Sequence, residues 1–217
     1  MEGPRCELSS LGGRGVNVQS GATLVLRSSL VERNHDIGLF IAGSQANVET
    51  CVIRETQLDA SGLSGRGIDV QAHSKTDAPS TVVLTRSTIE HNYEGGVFIL
   101  GSVATVDACL VRDTQPNALG QFGSGVIVEA DPGAASATVN ATRVDRSALA
   151  AVATWGSYTA LGSSAFSCQA FDLDHESYRG IPATLDDLGG NRCGCPDPTG
   201  ICKAVTANLE APQAVAE

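Results

Sequence analysis

The residues best suited to proton transfer form a short polar stretch, in which His91, Tyr93 and Glu94 follow an apolar segment. The matching places 58 residues earlier hold Arg33, His35 and Asp36. A histidine beside a carboxylate, or beside a tyrosine, can act as a proton-transfer pair. Asp69, His91 and Glu94 are therefore the candidate catalytic residues. The alternative is a charged, solvated turn whose side chains do not converge on one point.

A second chemical candidate is a pair of aromatic residues, Phe40 and Phe98, each at the centre of an alternating apolar triplet. Alternation places the central residue outward, and Asp69 is expected between the two rings. Exposed rings beside polar groups can hold sugars, so Phe40, Asp69, Phe98 and Tyr93 are predicted to bind a ligand. The alternative is that the long loops 57–65 and 115–123 cover the rings, using Leu58, Leu63 or Phe122.

The cysteines at the C-terminal end offer two alternatives, disulfides or a metal knuckle. Zinc sites usually pair cysteines as C-x₂₋₄-C, often with histidine, whereas this segment reads C-x-C-x₆-C and has no nearby histidine. We therefore favour disulfides and predict neither a metal nor a cofactor. The chain has seven cysteines, which leaves Cys6 without an obvious partner. The disulfide candidates are Cys168, Cys193, Cys195 and Cys202.

An internal repeat indicates the scaffold that must position these residues. Residues 31–72 and 89–130 are identical at 19 of 42 positions, and a spacing that regular is typical of a repeat architecture. Each repeat holds two shorter units of three strands, beginning with a glycine and an alternating triplet. A three-residue spacing between inward positions predicts a bend between the second and third strands. A polar ladder follows the third strand at Asn34, Thr56, Asn92, Thr114 and Ser147.

Units of this length, with three strands and no helical periodicity, describe a parallel β-helix of about six coils. Cys51 and Cys109 lie two coils apart in this arrangement, about 10 Å, too far for a disulfide. They are predicted to be small, buried side chains. We expect a lead-in at residues 1–12, coils at 13–170, and a disulfide-tied cap at 171–217. Because no N-terminal cap is evident, the chain is expected to be part of a longer solenoid.

The pattern GVxVxxxATVxxCxVRDT resembles the right-handed parallel β-helix repeats of the pectate-lyase-like superfamily. It is similar in particular to the non-catalytic β-helix regions of secreted or surface-attached bacterial proteins. The resemblance implies the fold but no single activity, since the same coil serves lyases, hydrolases, epimerases and adhesins.

Catalytic members of that superfamily carry several carboxylates on the outer face of the first strand. The corresponding residues here are Asn17, Phe40, Asp69, Phe98 and Ile127. One carboxylate cannot form a catalytic pair or a calcium shell. The adjacent acids Asp186 and Asp187 fall in the expected cap.

Composition limits the classes of partner. The net charge of −10 argues against nucleic acid, and no apolar run is long enough to span a membrane. The sequence predicts an exported, non-catalytic module at the cell surface or secreted, acting as a structural or adhesion segment. Its expected partner is a polysaccharide or another cell-surface component. The alternative is a polysaccharide-active lyase or epimerase. The first residues, Met1 to Pro4, lack signal-peptide character.

Overall fold

The backbone winds through three parallel sheets that run the length of the molecule. The computed structural model describes residues 13–206 and 208–216, and 22 strands occur within these ranges. Each coil places one strand in each sheet, so equivalent strands of successive coils pair in register. The all-β parallel solenoid predicted from the repeat is confirmed. It has about seven coils rather than six.

The strands are numbered in chain order. The first sheet contains β1 (Val16–Gln19), β4 (Asp36–Ala42), β7 (Gly65–Gln71), β10 (Gly95–Leu100), β13 (Ser124–Glu129), β16 (Ala150–Trp155), β19 (Phe171–Glu176) and β22 (Ala204–Val205). The second contains β2 (Thr23–Arg27), β5 (Gln45–Glu49), β8 (Thr81–Thr85), β11 (Val103–Asp107), β14 (Ser136–Asn140), β17 (Tyr158–Gly162) and β20 (Thr184–Gly189). The third contains β3 (Leu30–Glu32), β6 (Val52–Arg54), β9 (Thr88–Glu90), β12 (Leu110–Arg112), β15 (Arg143–Asp145), β18 (Ala165–Ser167) and β21 (Arg192–Cys193).

The bend between the second and third strands lies where the three-residue spacing predicts it. In each coil one residue with a left-handed backbone turns the chain at this bend. The alternation of inward and outward side chains along the second strand ends at that residue. The residues concerned are Ser28, Thr50, Arg86, Ala108, Ala141 and Ser163. A second left-handed residue follows the third strand at Arg33, Glu55, His91, Asp113, Arg146 and Cys168.

The interior is a stack of aliphatic ladders that no single coil could bury alone. Leu39, Ile68 and Val97 occupy one such ladder in adjacent strands of the first sheet, and all three are buried. The glycine before each triplet has a packing role. A Cβ on Gly38 would lie 2.7 Å from the carbonyl oxygen of Gly67, closer than a side chain can approach.

The polar ladder ties coils together through the backbone. Asn92 Oδ1 accepts a hydrogen bond from the main-chain N–H of Thr56 at 3.0 Å, and both side chains are buried. Ser87 lies between Cys51 and Cys109 and accepts from the main-chain N–H of Cys51. Both cysteines are buried and free, as predicted. Burial raises the pKa of the Cys109 thiol to about 11, so it stays protonated and unreactive.

The C-terminal end combines a further coil with two disulfides. Strands β19, β20 and β21 continue the three sheets into the segment expected to be a cap. Cys168 is bonded to Cys195, and Cys193 to Cys202, which confirms the four predicted disulfide cysteines. Residues 208–216, here called the tail, then run back over the outer face of the first sheet. Residues 1–12, including Cys6, lie outside the described residues.

Candidate functional site

The outer face of the first sheet carries the residues singled out for ligand binding. Strand register aligns Asn17, Phe40, Asp69, Phe98 and Ile127 in one row across neighbouring coils. Phe40 and Phe98 therefore occupy equivalent places on either side of Asp69, as the alternation predicts. Both rings are nevertheless fully buried. Of the two alternatives for these rings, exposed or covered, the structure shows them covered, and their role in binding stays a prediction.

Each phenylalanine is stacked under an arginine held by a carboxylate. Arg66 lies 3.8 Å from the centroid of Phe98, and its Nε is 2.7 Å from Glu94. Arg14 lies 3.8 Å from the centroid of Phe40, and its Nε is 3.2 Å from Asp36. A cation over an aromatic face is attractive, most of all where water is excluded. We call Arg14, Asp36 and Phe40 the first stack, and Arg66, Glu94 and Phe98 the second stack.

The tail covers both stacks. Val215 packs against Phe40, while Ala211 packs on the cluster that contains Phe98 and Trp155. Neither cluster includes a residue of the loops 57–65 and 115–123. The expectation that Leu58, Leu63 or Phe122 would cover the rings is therefore corrected. The coverage comes from a segment more than 100 residues away in sequence, for which no repeat position offers a signal.

The tail is held through its main-chain carbonyl groups. Arg66 Nη2 donates to the carbonyl of Gln213 at 2.5 Å, and Gln71 Nε2 donates to that of Val215 at 3.0 Å. The indole N–H of Trp155 donates to the carbonyl of Leu209 at 3.3 Å. Arg14 donates to the carbonyl of Ala216. These four donors come from three different coils, so the tail crosses the strands rather than pairing with one of them.

The second stack is an ionic network with more negative than positive charge. Asp69 lies three residues after Arg66, and their oxygen and nitrogen atoms are 2.7 Å apart. Burial raises the pKa of Asp69 to about 6 even though Arg66 opposes the shift. Burial alone would lower the pKa of Arg66, but Glu94 and Asp69 outweigh it and raise that pKa. One guanidinium thus serves two carboxylates, and Asp69 Oδ1 has no hydrogen-bond partner.

A third carboxylate on the same face is also perturbed. Glu129 is buried and lies two strands beyond Gln71 in the same row. Burial raises its pKa to about 8, and Asp131 adds to the shift while Arg66 opposes it. Its Oε2 has no hydrogen-bond partner. At neutral pH this side chain is mostly protonated, whereas Asp69 is mostly ionised.

The predicted catalytic residues only partly meet. Asp69 and Glu94 both contact Arg66, but His91 lies elsewhere, with its Nε2 3.7 Å from Asp113 and its side chain about half exposed. Tyr93 lies on the turn after the third strand and packs against Gly65. His91 is thus part of a solvated turn in this conformation.

A groove runs between the long loops and the tail. The loops 57–65 and 115–123 form one wall, because the main-chain N–H of Ala118 donates to the carbonyl of Gly62 at 2.9 Å. Asp59 Oδ1 accepts from the N–H groups of Leu63 and Ser64, which fixes the first loop. Asn117 Oδ1 plays the same part in the second loop. The cavity measures about 1200 Å³, and we call it the loop-lined groove.

Comparison with known families agrees with this architecture. A family model described as a right handed beta helix region matches residues 4–111. The chain is a right-handed β-helix repeat protein. No curated protein and no solved structure matches it. The resemblance to the pectate-lyase-like superfamily is consistent with the family match and with the coil geometry.

Two further features of this β-helix protein can be stated for residues 13–206 and 208–216. These residues contain no cluster of three or more His, Cys, Asp or Glu side chains able to hold a metal ion. They also contain no helix that is long and apolar enough to cross a membrane.

Sequence reasoning missed the two arginines that organise the outer face. Each comes directly before the glycine of a triplet, in Arg14-Gly-Val-Asn17 and Arg66-Gly-Ile-Asp69. The four-residue similarity was a usable signal, because an arginine just outside the core must find a partner on the outer face. The coil after each arginine supplies that partner as Asp36 or Glu94.

Proposed function

We propose that this chain is a non-catalytic, exported β-helix module, a structural or adhesion segment that binds an extended neutral glycan in the loop-lined groove. The observation that carries the proposal is the groove itself, whose rigid loop wall holds Phe122 and Leu63 beside Asn117 and Gln121. Sugars are held by an apolar surface under the ring and polar groups at its hydroxyls.

Phe122 is the main contact in this proposal. It lines the groove, is half-buried, and has a left-handed backbone with φ of 62°. A bulky residue seldom adopts this conformation, which costs about 1–3 kcal/mol and is frequent at binding sites. The equivalent residue of the other loop, Ser64, is not left-handed. The local strain supports a role for the ring beyond packing.

The charge of the groove favours a neutral ligand. Two arginines line it, Arg14 and Arg66, but both already pair with carboxylates. Four acidic residues line it as well, namely Asp36, Asp59, Glu94 and Glu210. An anionic polymer such as a polyuronate would be repelled by this surface and by the net charge of −10.

Export is proposed from the two disulfides. Cys168–Cys195 and Cys193–Cys202 bridge the end of the coil stack, where a solenoid needs protection of its open strand edges. Structural disulfides form and persist mainly in oxidising compartments. Secretion to the cell surface or beyond follows from that preference.

The test is glycan binding by the full chain and by Phe122→Ala, on an array of neutral and uronate oligosaccharides. We expect the wild type to retain neutral glycans and the variant to bind them roughly three- to tenfold more weakly, the value of one aromatic contact. Tyr158→Ala is the matched control, because Tyr158 is an exposed aromatic of the second sheet outside the groove. Equal binding by wild type and Phe122→Ala would refute the proposal.

A second candidate function, a polysaccharide lyase or epimerase, draws support from the perturbed carboxylates. Asp69 and Glu94 share Arg66, and the raised pKa values of Asp69 and Glu129 are of the kind found at catalytic sites. Asp69 contacts Arg66, which donates to the tail. An assay for new reducing ends or unsaturated products, with wild type against Asp69→Asn, tests it. Product formation that Asp69→Asn abolishes would favour the enzyme over the binding module.

A further inference from the structure

The surface beneath the tail has the features of a binding site for an extended chain. The tail passes from Trp155, in the sixth coil, to Arg14, just before the first strand. Five coil spacings amount to about 24 Å. The seven residue steps from Leu209 to Ala216 span about 24 Å only when the backbone is almost fully extended. The tail therefore crosses several strands of the first sheet in an open conformation.

Recognition of this segment rests on its main chain and on small side chains. Carbonyl groups of four tail residues accept hydrogen bonds from side chains of the sheet. Among the described residues, no main-chain to main-chain hydrogen bond joins 208–216 to the sheet. The side chains that pack inward are Ala211, Pro212 and Val215. The inward side chains of the tail are thus all small or medium-sized and apolar.

The arginines that face the tail are also held by groups outside it. Glu94, Asp69 and the ring of Phe98 hold Arg66 on three sides, which leaves Nη2 directed at the tail. Asp36 and Phe40 hold Arg14 in the same way. Rigid donors lose little entropy when a partner arrives, and this is a property of binding sites. Surface arginines that served only solubility would not be fixed in this manner.

We propose that the outer face of the first sheet, from the first stack to Trp155, is a binding site for an extended peptide with small apolar side chains, and that the tail occupies it in cis. The site adjoins the loop-lined groove and shares the charged residues of both stacks with its lining, but it lies beneath the tail, whereas Phe122 lies on the loop wall. An exposed face with both phenylalanine rings uncovered would be a large apolar patch. The tail is therefore exchanged for another such peptide rather than released to leave the surface bare.

The test uses the full chain with its own tail weakened by Ala211→Glu and Val215→Asp. A synthetic peptide with the wild-type sequence of residues 206–217 is titrated into this variant and followed by calorimetry and by Trp155 fluorescence. Trp155 is the single tryptophan, and its indole contacts the tail. We expect saturable binding to the variant and a return of the wild-type emission. Wild type should bind the peptide at least tenfold more weakly, because a tethered segment at roughly millimolar effective concentration competes.

Matched controls separate this result from folding defects and from glycan binding. A peptide carrying the same two substitutions should bind neither protein, and circular dichroism should report the same strand content in both. Phe122→Ala, placed in the weakened-tail chain, should leave peptide binding unchanged, so that failure of the glycan proposal does not affect this one. A folded weakened-tail variant that shows no binding of the wild-type peptide would overturn the inference.

Discussion

The two arginine–phenylalanine stacks have the same parts but differ in burial and charge. In the first stack the side chains of Arg14 and Asp36 are 13% and 9% exposed. In the second, those of Arg66 and Glu94 are 1% and 5% exposed. The residue three places after each arginine is Asn17 in the first case and Asp69 in the second. The first stack lies at the first of the described coils, whereas the second has described coils on both sides.

Position in the solenoid decides how much free energy a repeated motif costs. The first pair is slightly more exposed than the second and has one carboxylate instead of two, so its contribution to stability should be smaller. An ion pair with coils on both sides loses its hydration, so each charge is stabilised mainly by its partner. The tail completes the burial of the second stack by placing a carbonyl group on Arg66.

The largest difference is expected when the arginines are removed. Arg66→Met leaves Asp69 and Glu94 without their shared cation, and should lower the free energy of unfolding by about 3–5 kcal/mol. Arg14→Met should lower it by about 1–3 kcal/mol, because only one carboxylate, the buried Asp36, loses its cation. Urea unfolding of both variants measures this. Equal losses would contradict the difference in burial between the two stacks.

The next effect concerns pH and Asp69. Because burial raises its folded pKa to about 6, its contribution to stability is complete below the unfolded pKa, near 4, and is lost as pH rises through about 6. Asp69→Asn places here the residue type found at the equivalent position beside the first stack, and it should remove that loss. The free energy of unfolding at pH 7.5, relative to its value at pH 4, should then be roughly 2–3 kcal/mol higher in the variant than in the wild type. Urea unfolding at the two pH values is the measurement.

Glu129 provides the control for this pH series. Its raised pKa, about 8, predicts a further loss of stability as pH rises toward and through 8. This second loss should persist in Asp69→Asn and should be absent in Glu129→Gln. The groups that surround it are Arg66, Asp131, Tyr178 and Arg179. If Asp69→Asn left the pH profile between 4 and 6 unaltered, the assignment of that loss to Asp69 would fail.

A smaller difference is expected for the rings. Phe98→Leu should cost about 2 kcal/mol and Phe40→Leu about 1 kcal/mol, because a cation over a ring contributes more when both are desolvated. Phe98 also belongs to the larger apolar cluster, which includes Trp155 and Ile127. Thermal unfolding reports both variants. A larger loss of stability for Phe40→Leu than for Phe98→Leu would contradict the expectation that the second stack contributes more to stability.

The smallest effect is expected for the converse exchange, Asn17→Asp. Asn17 is exposed, so a carboxylate there remains hydrated and should change the free energy of unfolding by less than about 0.5 kcal/mol. The same urea series used for Asp69→Asn measures it. A large loss on Asn17→Asp would mean that the row is sensitive to charge irrespective of burial.

Much of the fold was predictable because it obeys a period. The glycine that opens each triplet, the inward aliphatic residues and the polar ladder all recur coil after coil, and stacking equivalent strands is the one way to bury them together. The bend also followed from the three-residue spacing. The four C-terminal cysteines were found by spacing, but their pairing was not, since it depends on how the last coil closes.

The candidate site was predictable only in part. Phe40, Asp69 and Phe98 do lie on one face, as alternation requires. Coverage of the rings was one of the two alternatives, but the covering segment was missed, because Arg66 meets Gln213 across 147 residues and no periodicity connects the tail with the coils. His91 was grouped with Asp69 and Glu94 by its closeness in sequence. Its left-handed backbone turns it instead toward Asp113 on the neighbouring coil.

The parallel β-helix, the orientation of each repeated side chain and the identity of the disulfide cysteines follow from the amino-acid sequence, because local alternation and a regular repeat specify these directly. Whether the outward side chains meet water depends on how the folded chain is assembled. That depends on a tail outside the repeat, and on which coils have neighbours on both sides. Desolvation is a property of the assembled surface, and it makes two similar arginine motifs behave differently.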